Sequence, residues 1–443
     1  MKIVHVAFEC SPIYKTGGLG DVVGSLPIAQ FRLGIKLLVI IPAYSFIKRR
    51  RFLPHSEVPV WYIESPWFKK PGIRTDRKTQ AVGFAAFAVG ILSELKRRDL
   101  KPDIIHCHDW HTGLISFLLK KTADPFFAKT RTLLTLHNIG YQGRFPKKYL
   151  HIPEFKELFS HIPAQAKQIS FLKEGIAHAD FVSTVSPNHA QEIRRGTVGF
   201  GLSAVIKKKR GRFVGIVNGL DHRIWNPTND HALHKRFGKR SLASAKAINK
   251  RALQAELGLF TDPNIPLFVF VGRLSQQKGL DLLLPVLPGF AGKMQFALLG
   301  AGDGAYLKAV SQYKKTEFSK WISMSLHFNE KLARQMYAGA DFLLIPSLYE
   351  PCGLTQMIAM AYGTIPVACR VGGLKDTIRD EKTGILFSEK SKESLINAIE
   401  RSLLLFFDKE RCLRMRKLCM RQDFSWDKSA KRYIRLYRHI KQL

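Results

Sequence analysis

Four clusters of residues in this sequence have types and spacings that could do chemistry. The first is Lys15-Thr16-Gly17-Gly18-Leu19-Gly20-Asp21. Glycines let a backbone approach an anion closely, and unpaired N–H groups at a following helix N-terminus favour negative charge. Lys15 adds a point charge suited to a phosphate. The spacing is neither that of a Walker P-loop nor that of the dinucleotide fingerprint. Taken alone, the cluster reads equally well as a tight connection. The second is Gly272-Arg273-Leu274-Ser275-Gln276-Gln277-Lys278-Gly279, directly after the apolar run Leu267 to Val271. A cation pair at the edge of a sheet can neutralise a diphosphate leaving group, whose charge grows as its partner departs. Against this, the chain carries 70 Lys and Arg residues, so surface bases are common.

The third cluster is Ser347-Leu348-Tyr349-Glu350-Pro351-Cys352-Gly353-Leu354-Thr355-Gln356. Glu350 precedes a proline, which pushes its backbone out of the helical region at a helix entry. A carboxylate there can bind hydroxyls or steady a developing cation, or it can serve only the helix dipole. Downstream, Val371-Gly372-Gly373-Leu374 repeats the Gly-Gly logic. The fourth set is His106-Cys107-His108-Asp109-Trp110-His111, then His137-Asn138, then Asn218-Gly219. On a strand exit, His106, His108 and His111 are not expected to converge as an i, i+4 helical pair does, so no metal is expected. His137 follows the run Arg131 to Leu136, and a strand end beside Asn138 is a place for a ligand contact.

These clusters need elements to hold them. Short apolar runs alternate with helix-length segments along the whole chain, the pattern of parallel sheets flanked by helices. One series runs from Lys2–Phe8 through 36–41, 104–107, 131–136 and 181–185 to 214–217. After a polar stretch, 226–250, a second series runs through 267–271, 296–299, 341–345 and 365–368. The chemistry-bearing clusters follow the C-terminal ends of such runs, where open α/β sheets bind ligands. The expectation is an α/β protein of two Rossmann-like, doubly wound domains meeting at a ligand cleft. The last segment, 429–443, puts Ala430, Tyr433, Ile434, Tyr437 and Ile440 on one face and reads as a packed amphipathic helix.

Bulk properties bound the class. At 443 residues the chain exceeds the roughly 250–300 at which single cores stop growing. No apolar run approaches the roughly 18 residues of a membrane span, and the first residues lack the features of a secretory signal. Six scattered cysteines without Cys-x-x-Cys spacing fit free thiols in a reducing compartment, so a cytoplasmic location is expected. The formal net charge of +35 would suit a polyanion, but the basic residues are spread along the chain without a nucleic-acid motif. No specific nucleic acid and no membrane partner are expected.

Taken in order, the motifs resemble the bacterial glycogen synthase and plant starch synthase family. The match runs from Lys15-Thr16-Gly17-Gly18-Leu19 through His108-Asp109-Trp110-His111, His137 to Gly143, Ser183 to Pro187 and Asn218-Gly219. It continues through Gly272 to Gly279, Glu350 to Gln356, Gly372-Gly373-Leu374 and Asp423-Phe424-Ser425-Trp426. The resemblance implies the GT-B architecture, two Rossmann-like domains facing across a cleft. Residues 1–240 would be the acceptor domain, 241–425 the donor domain, and 426–443 a helix packing back towards the first.

The same resemblance implies transfer of glucose from ADP-glucose to the non-reducing 4-hydroxyl end of an α-1,4-glucan, with retention and without a metal or other cofactor. It assigns catalytic roles to His137, Glu350, Arg273 and Lys278. Donor binding would fall to Lys15, Gly17, Gly18, Arg273, Lys278, Glu350, Cys352, Gly353, Leu354, Thr355, Gly372 and Gly373. Asp21, Asp109 and Asn218 are further cleft candidates, and the adenine is expected by the loop around Phe387. The segment 45–80 looks shorter than its family counterpart, on the acceptor side. Competing readings are a related transferase using UDP-glucose or a small acceptor, a non-catalytic glucan-binding homologue, and a polyanion-binding protein.

Overall fold

The computed structural model describes residues 1–68, 76–152, 155, 159–160, 165–313, 317–327 and 329–443. Residues 69–75, inside the segment 45–80, lie outside the described residues. Among the described residues there are fifteen strands. They are β1 (Lys2–Val6), β2 (Lys36–Pro42), β3 (Val60–Ile63), β4 (Ile104–His108), β5 (Arg131–Leu136), β6 (Arg144–Pro146), β7 (Gln168–Ser170), β8 (Phe181–Thr184) and β9 (Phe213–Gly215), followed by β10 (Leu267–Val271), β11 (Gln295–Leu299), β12 (Ile322–Ser325), β13 (Phe342–Ile345), β14 (Ile365–Cys369) and β15 (Ile385–Phe387).

The first sheet has the order β3-β2-β1-β4-β5-β8-β9 and is parallel throughout. Runs such as Leu37 to Ile41 are buried on both faces, which is why they read as continuous apolar segments without alternation. The second sheet has the order β12-β11-β10-β13-β14-β15, again all parallel. Both orders step outward from a first strand and then reverse, the doubly wound plan. A separate antiparallel pair joins β6 to β7. Five strands, β3, β6, β7, β12 and β15, were not expected from the sequence. Phe387 is the last, buried residue of β15, not part of a loop.

Two compact units result: Met1–Gly219 with Trp426–Leu443, and Leu220–Ser425. Residues 220–240 pack in the second unit, where Asp230 holds Arg334 at 3.0 Å and accepts the Tyr362 hydroxyl. The helix Trp426–Lys441 buries the apolar face expected of it, Ala430, Tyr433, Ile434, Tyr437 and Ile440. It packs on the helix Gly18–Arg32 of the first unit. In the second unit, Asp341 lies buried before β13 and is bound by Lys250 at 2.6 Å, Arg416 at 2.5 Å and the Leu267 N–H at 2.8 Å. Among the described residues no helix is long and apolar enough to cross a membrane.

Candidate active site

In the first unit, β1 runs into a buried carboxylate, Glu9. Glu9 Oε2 accepts from the Thr16 backbone N–H and, at 2.6 Å, from the Thr16 hydroxyl, while Oε1 accepts from Gly20 N–H at 2.9 Å. Burial pushes this carboxyl up, and the bonds from Thr16 and Gly20 pull it part of the way back. The loop carrying Lys15, Gly17 and Gly18 is therefore pinned at both ends to one side chain. Its helix starts at Gly18, and Thr16 and Gly18 stay exposed. Gly17 has φ −161, an extended conformation any residue adopts, so its role is to leave the backbone uncovered. The Lys15 ammonium lies 2.7 Å from Asp21 Oδ1, which makes Asp21 its counter-ion.

His137 follows β5 and is held through Asp109. The Asp109 carboxylate accepts the His137 N–H at 2.7 Å and the Asn138 N–H at 3.3 Å. Asp109 itself sits at φ +58, a left-handed conformation that costs a non-glycine residue and persists only where surroundings impose it. Burial raises its carboxyl to about 7 against those two bonds. The His137 ring Nε2 lies 3.0 Å from His108 Nδ1, and burial lowers its pKa to about 3. It is thus a neutral hydrogen-bonding group and not a cationic acid. Asn218 is buried, with Oδ1 unpaired among the described residues.

As expected, His106, His108 and His111 do not come together as a set. His111 stays apart, stacked between Phe8 and Trp110. His106 and His108, however, share a face because strand side chains alternate with period two. His5 of β1 joins them, paired in register with His106, and one nitrogen from each lies within 4.8 Å of the others. Both nitrogens of all three rings are engaged by other side chains, so a metal would have to break a formed network.

In the second unit, Lys278 and Glu350 come together. The Lys278 Nζ is 2.5 Å from Glu350 Oε2, and Ser347 Oγ donates to the same oxygen at 3.0 Å. The two loops are also tied through backbone: Leu348 N–H donates to Gln277 O at 2.9 Å and Gln277 Nε2 to Tyr349 O at 3.2 Å. Gly279 has φ +72, and a Cβ there would lie 1.8 Å from Pro346 O, so glycine alone permits this approach. Arg273 is exposed on the same loop. Gly373 N–H donates to Glu350 O at 2.9 Å, and a Cβ on Gly373 would meet Cys352 O at 2.3 Å. The buried Gln356 amide bonds Cys352 O, Gly353 O and Thr377 Oγ1, fastening the Glu350–Thr355 loop to the Gly372–Thr377 helix. Leu354 caps the helix that Thr355 begins.

Residues 2–208 match the starch synthase catalytic domain family, and residues 250–417 the glycosyl transferases group 1 family. The chain is 38% identical to glycogen synthase 2 of Geobacter sulfurreducens, covering 99% of this chain and 98% of that one. It is 36% identical to the glycogen synthase of Thermodesulfovibrio yellowstonii over 99% and 98%. The chain belongs to the glycogen synthase family.

This glycogen synthase family member is a glycosyltransferase built from two Rossmann-like units of the GT-B class. Among solved structures it is similar to the catalytic domain of starch synthase IV from Arabidopsis thaliana bound to ADP and acarbose. That match has TM-score 0.90 and 30% identity, over 100% of this chain and 99% of that one. Sucrose-phosphate synthase from Thermosynechococcus elongatus, at 20% identity and TM-score 0.69, shares the fold. The alignments to the two glycogen synthases run over 485 and 489 positions, more than the 443 residues here, so this family member is a shorter version of the shared plan.

Sequence reasoning missed Glu9, His5 and Gln30. Glu9 had one signal, an acid directly after a fully apolar strand. His5 and Gln30 had none, since an isolated polar residue in a buried run says nothing about its partner.

Proposed function

We propose that the chain transfers glucose from ADP-glucose to the non-reducing 4-hydroxyl of an α-1,4-glucan, retaining the anomeric configuration. One observation carries this reading: the part-buried Lys278–Glu350 pair, held by Ser347, on a chain that aligns end to end with an ADP-bound starch synthase catalytic domain. Lys278 and Arg273 neutralise the diphosphate as it leaves, and preorganised charge of this kind is usually the largest catalytic term. Both bonds to Glu350 fall on Oε2, which leaves Oε1 to meet the sugar. In the first unit, Lys15 and the exposed turn at Gly17-Gly18 bind the donor, and the neutral His137 accepts from a sugar hydroxyl.

The bond from glucose C1 to the phosphate oxygen breaks, and the acceptor oxygen bonds C1 from the same side. The acceptor's proton passes to the departing phosphate, so the step balances without a metal or other cofactor. We further propose that the enzyme works in the cytoplasm. The six cysteines are all buried and unbridged, as suits a reducing compartment.

The test is glucose incorporation into glycogen from labelled ADP-glucose and UDP-glucose, with the anomer of the new linkage read by NMR. The reading expects faster transfer from ADP-glucose and an α-linked product. Elongation from neither donor overturns it, and elongation from UDP-glucose alone corrects the donor.

A further inference from the structure

Seven fully buried polar side chains of the first unit form one continuous hydrogen-bonded chain that ends on His137. They are His108, His5, Gln30, Tyr437, His106, Thr135 and Ser183. From His137 the contacts run His137 Nε2 to His108 Nδ1 at 3.0 Å, His108 Nε2 to His5 Nδ1 at 3.1 Å, and His5 Nε2 to Gln30 Oε1 at 2.8 Å. They continue from Gln30 Nε2 to Tyr437 Oη at 3.1 Å, Tyr437 Oη to His106 Nδ1 at 2.7 Å, and His106 Nε2 to Thr135 Oγ1 at 2.6 Å. The last contact joins Thr135 Oγ1 to Ser183 Oγ at 2.7 Å.

This chain has a direction. A neutral imidazole carries one N–H and one lone pair, and an amide has a donor side and an acceptor side. Gln30 Oε1 can only accept, so His5 must donate from Nε2 and accept at Nδ1. That requires His108 to donate from Nε2 and accept at Nδ1, and so His137 must donate from Nε2. On the other side, Gln30 Nε2 donates to Tyr437, which passes its own proton to His106 Nδ1, and His106 Nε2–H is then spent on Thr135. Turning the Gln30 amide over would reverse every donor, so this one side chain sets the tautomer of all four rings. Burial supports their neutrality: it lowers His5 to about 4 and His137 to about 3, and holds His106 and His108 well below the usual range.

We propose that this buried chain fixes His137 as its Nε2–H tautomer, so that Nδ1 offers a lone pair to a sugar hydroxyl. Gln30 and His5, with His108, are then positioning residues for the transfer. Among the described residues nothing hydrogen-bonds His137 Nδ1, and His137 is the one ring of the four that is not fully buried. The proposal rests on the reading that His137 contacts the transferred sugar.

Neutron diffraction from the perdeuterated full-length protein tests it directly. Deuterium is expected on His137 Nε2, His108 Nε2 and His5 Nε2, with none on His137 Nδ1. Deuterium on His137 Nδ1, alone or with Nε2, overturns the proposal, and this arm needs no variant to fold. In a second arm, Gln30→Met keeps the volume but removes the acceptor that orders the rings. Its kcat should fall about tenfold, the worth of one hydrogen bond, with the donor KM within about twofold, since no binding group is removed. An unchanged kcat, or a kcat and KM that worsen together, overturns the positioning role. His137→Ala separates the two readings: wild-type turnover in that variant sinks the sugar contact, while the deuterium positions still judge the tautomer.

Discussion

Lys278 and Glu350 meet at 2.5 Å across 72 residues of sequence, one at the exit of β10 and the other at the exit of β13. These strands are hydrogen-bonded neighbours at the centre of the second sheet, where the strand order reverses. Both side chains are largely removed from water, so each depends on the other for compensation. Lys278→Ala therefore does two things: it removes charge from the leaving group and strands a buried carboxylate. We expect kcat to drop by about 10²–10³-fold. Lys278→Arg should recover only part, because a planar guanidinium cannot fill the place of a compact ammonium. Initial rates with saturating glycogen measure both, and a Lys278→Ala enzyme within about tenfold of wild type would remove the residue from the catalytic set.

Glu9 carries a different expectation. Its two oxygens hold Thr16 and Gly20, and so shape the loop that presents Lys15. Glu9→Gln keeps the volume but points an amide donor at groups that are themselves donors. Bonds to a charged acceptor are worth about 1.5–3 kcal/mol each, so the loop should loosen while the sheet beneath it stands. The donor KM should rise roughly tenfold, with the thermal midpoint little changed. A lowered midpoint with an unchanged KM would make Glu9 a fold residue only.

Much of this was readable before any coordinates, for physical reasons that particular residues show. The runs at β2, β10 and β14 are apolar on both faces and end in Pro, Gly or Arg, so hydrophobic pattern alone locates them. β12 (Ile-Ser-Met-Ser) alternates and has no continuous apolar run, while β3 (Val-Trp-Tyr-Ile) and β15 (Ile-Leu-Phe) are apolar but only four and three residues long, too short to stand out from a loop. The Lys-x-Gly-Gly loop could be read as a tight connection or an anion cradle, but its fastening to Glu9 was not legible. Nor was the clustering of His5 with His106 and His108, which depends on strand register. Local pattern reports an element; only the sheet order brings residues more than 100 positions apart into one hydrogen-bonded chain.

Asp109 should leave a signature in stability against pH. Its folded carboxyl stands at about 7, above the ordinary 3.8. A folded value that is raised means the native state holds the proton more tightly, so its contribution is greatest below the ordinary value. That contribution is lost as pH rises through about 7. Asp109→Asn cannot ionise and keeps an oxygen for the His137 N–H. The variant should therefore compare more favourably with wild type at pH 8 than at pH 5, by up to a few kcal/mol. Urea denaturation of both proteins at the two pH values gives the difference, and equal differences would show that Asp109 does not titrate in this range.

The buried histidines act in the opposite sense. His5 and His137 have folded values near 4 and 3, and His106 and His108 lie well below the ordinary 6.5. A lowered folded value means that the unfolded chain takes up protons first as pH falls below 6.5. Each neutral ring then costs about 1.4 kcal/mol of stability per pH unit until its folded value is reached. Four such rings can remove about 4 kcal/mol between pH 6.5 and 5.5, where the unfolded imidazole is only part protonated at the start, a large share of the stability of many domains. The first unit should therefore lose structure cooperatively in mild acid. His5→Gln, which can still donate and accept in the chain, should move the acid midpoint lower by removing one of the four terms. Circular dichroism followed from pH 7 to pH 4 reads this shift. A midpoint unmoved or raised by His5→Gln would mean that proton uptake by these rings does not drive the transition.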